Sequence, residues 1–225
     1  EDAAQVSVPA QTAPLERVSQ VETVEPLFVR SFTPAGSGRN DGNPLWSRSG
    51  MFLSFERSIG DKKEVHIALA DGLIFQALYY LRAAGGEMKF FFPGVVEDIS
   101  YNAGISWSPR EDRFVFMSNG GEGNYAVYAG DVGGKAVTRL TEHKEKDGQP
   151  DWSPASNAVV FVSGRSGKGD LYVMDSVTRV LTRLTQGGKE YLYPQWSPDG
   201  KRIAFMHGNN ENHDIALIND VTRPT

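Results

Sequence analysis

The stretch "YPQWSPDGKRIAF", Tyr193–Phe205, recurs as "NPLWSRSGMFLSF", "GISWSPREDRFVF" and "QPDWSPASNAVVF". The four segments superimpose without a gap. Their tryptophans, Trp46, Trp107, Trp152 and Trp196, are all the tryptophans of the chain. Nine residues after each stands a phenylalanine: Phe55, Phe116, Phe161 or Phe205. Two residues before that phenylalanine stands Leu53, Phe114, Val159 or Ile203. This is strand alternation with one apolar face. Between tryptophan and strand, Ser-Pro-Asp-Gly reads as a tight turn, because Pro presets φ and Asp-Gly completes the reversal. Only the last copy carries the full tetrapeptide.

The similarity runs on. After each phenylalanine come a polar turn and a further strand: "VHIALAD", "YAVYAGD", "LYVMD" and "IALIND". Two units end in another strand closing on Leu-Thr, "AVTRLT" and "RVLTRLT". The unit is four short antiparallel strands, a to d, with Trp at the end of a. One such sheet cannot bury both faces, whereas radial stacking does so and leaves only short edges. Trp107 to Trp152 is 45 residues and Trp152 to Trp196 is 44, the period of a propeller blade. Trp46 to Trp107 is 61, which places an insertion at about 72–87.

The chain has 225 residues, enough for one large all-β domain. Residues 1–26, rich in Ala, Val, Gln, Thr, Pro and Glu, read as a flexible leader, the remainder of a processed targeting segment. Residues 27–225 form the propeller. The fourth unit stops where its strand d should begin, and Leu27–Phe32 supplies a strand d with no a, b or c of its own. The expectation is therefore an all-β propeller of four blades, each of four antiparallel strands, closed by that N-terminal outer strand.

A net charge of −5 and the lack of a dense Lys/Arg cluster argue against a nucleic-acid partner. No apolar run approaches the roughly 20 residues of a transmembrane helix. The chain has no cysteine, so disulfides, thiolate metal sites and cysteine nucleophiles are excluded.

These Trp-Ser-Pro-Asp-Gly repeats resemble the TolB-like propeller family and, more distantly, the propellers of prolyl-oligopeptidase-type peptidases. The resemblance covers roughly Leu27 to Thr225. That family has six blades and an N-terminal α/β domain, from which this chain departs. The resemblance implies a bacterial, periplasmic or otherwise exported propeller, lipid-anchored before processing or free, that binds a partner.

Strand alternation puts the d–a and b–c loops on one face. That face gathers Arg39, Asn40, Asp41, Tyr101, Asn102, Lys146, Asp147, Glu190, Tyr191 and Tyr193, a polar rim with tyrosines suited to a protein or peptide. Loops kept soluble would look similar. The insertion, "DGLIFQALYYLRAAGG", reads as a helix from Asp71 to Gly85/Gly86, or as a β-hairpin extending the blade. Its Ile74, Phe75, Leu78, Tyr79 and Leu81 form a second candidate interface, packing on its own propeller or on a second copy in a homodimer.

Catalytic signatures are missing. "GISWS" and "GRSGK" do not make a nucleophile elbow. "GEGNYA" fits a dinucleotide pattern only formally, in a hairpin turn with no following helix. His207 and His213 flank one hairpin near Glu211 and Asp214, and a solvated turn explains them better than a metal. The sequence assigns no catalytic residue, no metal ligand and no cofactor. A carbohydrate-binding or carbohydrate-cleaving propeller, and the propeller domain of a larger hydrolase, stand as alternatives.

Overall fold

The computed structural model describes residues 38–221 except 70–76, 85–86, 92–101, 111–112, 120–123, 133–136, 187 and 210–211; for the strands at 77–84 and 87–91 it describes the backbone alone. Among these residues the fold is all β, with a single 3-10 turn at Gly164–Ser166 and no α-helix. The strands form four antiparallel sheets in chain order.

The first sheet holds β1 (Arg39–Trp46), β2 (Phe52–Ile59), β3 (Lys62–Leu69), β4 (Ala77–Ala84) and β5 (Glu87–Phe91). The second holds β6 (Asn102–Trp107), β7 (Arg113–Ser118), β8 (Ala126–Asp131) and β9 (Thr138–Arg139). The third holds β10 (Asp147–Trp152), β11 (Ala158–Ser163), β12 (Asp170–Asp175) and β13 (Leu181–Arg183). The fourth holds β14 (Glu190–Trp196), β15 (Ile203–Gly208) and β16 (His213–Ile218). Each tryptophan ends the first strand of its sheet, as the repeat requires.

The insertion corrects the helix expectation. β4 pairs antiparallel with β3, and β5 returns along β4. The β-favouring residues there meet the open hydrogen-bonding edge of β3, which a helix would have left unpaired. The first sheet thus has five strands rather than four, and the fourth sheet has three described strands. Leu27–Phe32, Ile74, Phe75 and Tyr101 lie outside the described residues.

The sheets bury their faces on one another by one repeated device. Trp107, Phe114 and Phe116 of the second sheet pack on Val65 and Ile67 of β3, and Trp107 Nε1 donates to Ser54 Oγ at 3.1 Å. Trp152, Val159 and Phe161 of the third pack with Val127 and Ala129 of β8. Tyr191, Ile203 and Phe205 of the fourth pack with Leu171 of β12, with Trp196 partly buried alongside. The tryptophan side of one sheet meets the third strand of the sheet before it. At the two ends of the series the same residues have no such cover. Trp46 is 58% exposed against 4% for Trp107 and 2% for Trp152. Ile215 is 72% exposed, whereas Val127 and Leu171, at the same register, are 1% and 0%.

Candidate functional site

The first strand of every sheet carries a β-bulge at the same place. Register shifts fall between Gly42 and Leu45, Ala103 and Ser106, Gly148 and Asp151, and Leu192 and Gln195. The residue three before each tryptophan has a positive φ: Asn43 at 51°, Gly104 at 64°, Gln149 at 51° and Tyr193 at 50°. In three strands Pro follows it (Pro44, Pro150, Pro194). A bulged residue drops out of the ladder, so a proline there removes no sheet hydrogen bond. Where Pro is replaced by Ile105, the left-handed residue is glycine, which adopts that conformation without a Cβ penalty.

The four bulges converge on one cavity of about 450 Å³. It is lined by Asn43 and Leu45 of the first sheet, Gly104 to Ser106 of the second, Gln149 to Asp151 of the third and Tyr193 to Gln195 of the fourth. Glu56, Lys63, Ala103 and Met117 complete the wall. Hydrogen bonds from sheet to sheet hold the bulges. Gly104 N–H donates to Glu56 Oε1 at 2.8 Å. Trp152 N–H donates to Ser106 Oγ at 2.9 Å. Trp196 N–H donates to Asp151 Oδ2 at 2.7 Å, and Tyr193 N–H to Gln149 Oε1 at 2.7 Å.

The two carboxylates of the cavity differ. Glu56, 4% exposed, also accepts from Asn43 Nδ2 at 2.7 Å and pairs with Lys63 Nζ at 2.5 Å. Its charge is met on every side, a structural role. Asp151 accepts from Ser106 Oγ at 2.7 Å and from Trp196 N–H, and no Lys, Arg or His among the described residues forms an ion pair with it. Burial pushes its pKa up; the Trp196 N–H, the Ser106 hydroxyl, the Arg48 charge and the Trp152 N–H oppose the rise.

A smaller cavity of about 240 Å³ adjoins, sharing Met117 and Gln149 with the first and adding Lys146, Lys168 and Glu190. Of the residues expected at the rim, Lys146 and Glu190 line this smaller cavity and Tyr193 the axial one. Lys146 Nζ sits 4.7 Å from the centre of the Tyr125 ring. Arg39 and Asn40 open β1, and Asp41 takes two 2.6 Å hydrogen bonds from Arg57. Asn102 opens β6. Asp147 is wholly buried and bridged by Arg165 at 3.0 Å, and Tyr191 is buried with its hydroxyl on Gln186 O. Both sit inside the sheets rather than on display at the rim. Leu78, Tyr79 and Leu81 lie on β4, whose backbone alone is described.

Sequence reading missed Asn43, Glu56, Gln149, Asp151 and Gln195. The signal for three of the bulges was the proline two residues before the tryptophan. Among the described residues no group of three His, Cys, Asp or Glu could hold a metal ion. No described helix is long and apolar enough to cross a membrane.

Four sheets that each end their first strand on the repeated tryptophan, with bulges lining one cavity, agree with the family comparison: residues 94–224 match the model of the TolB β-propeller domain. The chain belongs to the TolB β-propeller family. TolB from Acinetobacter baumannii superposes with a TM-score of 0.62 at 19% identity, over 83% of this chain and 42% of that one. A putative TolB from Agrobacterium tumefaciens gives 0.59 at 18% identity, over 78% and 60%. A puromycin-hydrolyzing peptidase from Mycobacterium tuberculosis gives 0.59 at 15% identity, over 81% and 28%. This TolB-family chain therefore spans less than two thirds of each of these structures. No curated protein matches it in sequence.

Proposed function

We propose that this TolB-family propeller is a non-catalytic scaffold of the bacterial envelope that binds a protein or peptide over the mouth of its axial cavity. The observation that carries the reading is the cavity itself. Four bulges from four sheets hold polar groups and the exposed Tyr193 around one opening, which suits an inserted segment. Arg39, Asn40, Asp41, Tyr101, Asn102, Lys146 and Glu190 extend the contact along the rim. Glu56 is tied by Asn43, Lys63 and Gly104, so the cavity offers no free pair of carboxylates for glycoside cleavage. Family membership supports a periplasmic or exported location.

The fold reading is finer than four sheets. We infer four blades closed into a ring, with 1–26 as leader, 27–225 as propeller, and Leu27–Phe32 beside β16 as the missing fourth strand. Two observations support this. The fourth sheet has three described strands where the second and third have four. The uncovered ends, Trp46 on one side and Ile215 with Leu217 on the other, carry the two halves of the junction seen between neighbouring sheets. Ile74, Phe75, Leu78, Tyr79 and Leu81 remain the proposed second interface, toward a second copy.

The alternative reading, the propeller domain of a larger hydrolase, draws on the likeness to the puromycin-hydrolyzing peptidase. The test is capture from envelope extract on the immobilised chain, followed by titration of the purified captured protein. Saturable binding that weakens in Tyr193→Gly is expected. Binding on a glycan array with no protein captured would reverse the reading toward carbohydrate.

A further inference from the structure

Asp151 is the one carboxylate lining the axial cavity that the fold itself does not neutralise. A carboxylate offers about four acceptor sites. Among the described residues its hydrogen bonds come from Ser106 Oγ and Trp196 N–H, with a lesser contribution from the Trp152 N–H, and all these donors are neutral. Glu56 across the cavity shows the contrast, since Lys63 already answers its charge. Burying an uncompensated carboxylate is costly, and burial indeed pushes the Asp151 pKa up. Its hydrogen bonds tie the second and fourth sheets to the third but bring no counter-charge.

Tyr193 lines the same cavity and breaks a second rule. It is an aromatic residue held at φ 50°, yet 59% exposed. Every sheet holds a left-handed residue at this bulge, but the others are Asn43, Gly104 and Gln149, and only here does an exposed aromatic ring occupy the position. Elsewhere in the chain the same chemistry is satisfied internally: Lys146 stands over Tyr125 at 4.7 Å and Arg165 over Tyr172 at 4.8 Å.

We propose that the axial cavity receives a cationic side chain of the partner, a lysine ammonium or an arginine guanidinium, with Asp151 as its counter-charge and the Tyr193 ring as its cover. The inference rests on the protein-binding reading and names the residue class that the cavity selects. The remaining acceptor sites of Asp151 take the cation's N–H groups. The ring adds a cation–π contact. Lys63 does not repel the guest, because Glu56 holds and neutralises it.

The probes are capped pentapeptides, acetyl-Gly-Gly-X-Gly-Gly-amide, with X as Lys, Arg, norleucine or Glu. Binding to the full, nitrogen-15-labelled chain is read from amide shifts of Tyr193 and Trp196. The Lys and Arg peptides should shift these amides saturably at millimolar concentration. The norleucine peptide should bind about tenfold more weakly, as should the Lys peptide to Asp151→Asn. Tyr193→Gly should lose about threefold of the Lys-peptide affinity. Equal binding of Lys and norleucine peptides overturns the assignment without any variant, so a variant that fails to fold cannot shield it. Silence of the cavity amides with every peptide overturns it as well. Either failure leaves the capture experiment free to sustain or sink the protein-binding reading on its own.

Discussion

Ser106 and Asp151 hold the same place in successive repeats, one residue before the tryptophan, and their side chains meet across two sheets at 2.7 Å. Ser106 Oγ also receives the Trp152 N–H. One hydroxyl thus satisfies a carboxylate and a buried backbone donor at the wall of the axial cavity. Ser106→Ala leaves both without that partner and should cost about 1–3 kcal/mol in urea unfolding. Ser108, two residues on, buries a hydroxyl with no partner. Ser108→Ala should therefore leave stability unchanged or raise it. A cost at Ser108 equal to that at Ser106 would show that burial, and not the shared hydroxyl, sets the effect.

Trp107 fills the junction between the first and second sheets, and Trp107→Ala should cost about 3–5 kcal/mol. Four-blade closure puts Trp46 in the same kind of junction against Ile215 and Leu217. Trp46→Ala should then cost about as much. A change under about 1 kcal/mol, the ordinary surface range, would instead report an open series of sheets.

Thr141 Oγ1 accepts the Val127 N–H and Thr185 Oγ1 the Leu171 N–H, each at 3.0 Å. Leu140 and Leu184 beside them donate to the carbonyls of the same two residues. Ile215 holds the equivalent register on β16, and in the sequence Phe32-Thr33 stands where those repeats have Leu-Thr, which the proposed closure would set beside β16. Thr33→Val should speed amide exchange at Ile215 about fivefold, the loss of roughly 1 kcal/mol of hydrogen bonding. Thr141→Val should do the same at Val127. An effect at Val127 alone would overturn the proposed pairing of Leu27–Phe32 with β16.

Tyr193 holds a backbone conformation that glycine adopts freely. Tyr193→Gly should raise stability by about 1 kcal/mol, read from the urea midpoint. A loss of stability would show that the tyrosine ring packs in solution.

Burial raises the Asp151 pKa, so the folded state holds that proton more tightly than the unfolded chain. Stability should fall as pH rises from the ordinary carboxylate value through the raised one. Asp151→Asn removes that fall. Asp175, lowered first by the Thr178 N–H, and Asp199, lowered first by the Ser197 hydroxyl, act in the opposite sense, losing their contribution as pH falls through their native values. Urea midpoints of wild type and Asp151→Asn between about pH 3 and pH 7 separate the two. Parallel profiles would place Asp151 in a solvated setting.

The repeat determined the sheets, because Trp and the phenylalanine nine residues later mark two strands whatever lies around them. The strand register of Phe55, Phe116, Phe161 and Phe205 follows from that spacing. The insertion was ambiguous because its apolar run fits a helix and a hairpin equally, and only the open edge of β3 chose between them. Asp147 and Tyr191 looked like rim residues because their place in the chain, at the start of a strand, does not reveal that Arg165 and Phe205 cover them.

By itself the sequence determined that this chain builds repeated antiparallel sheets of the TolB family, since period and side-chain alternation are local properties. Tertiary structure alone decided which polar groups share the axial cavity. The left-handed residues before the tryptophans lie 44 to 61 residues apart along the chain, and only the packing of sheet on sheet brings Tyr193, Gln149 and Asp151 to one wall.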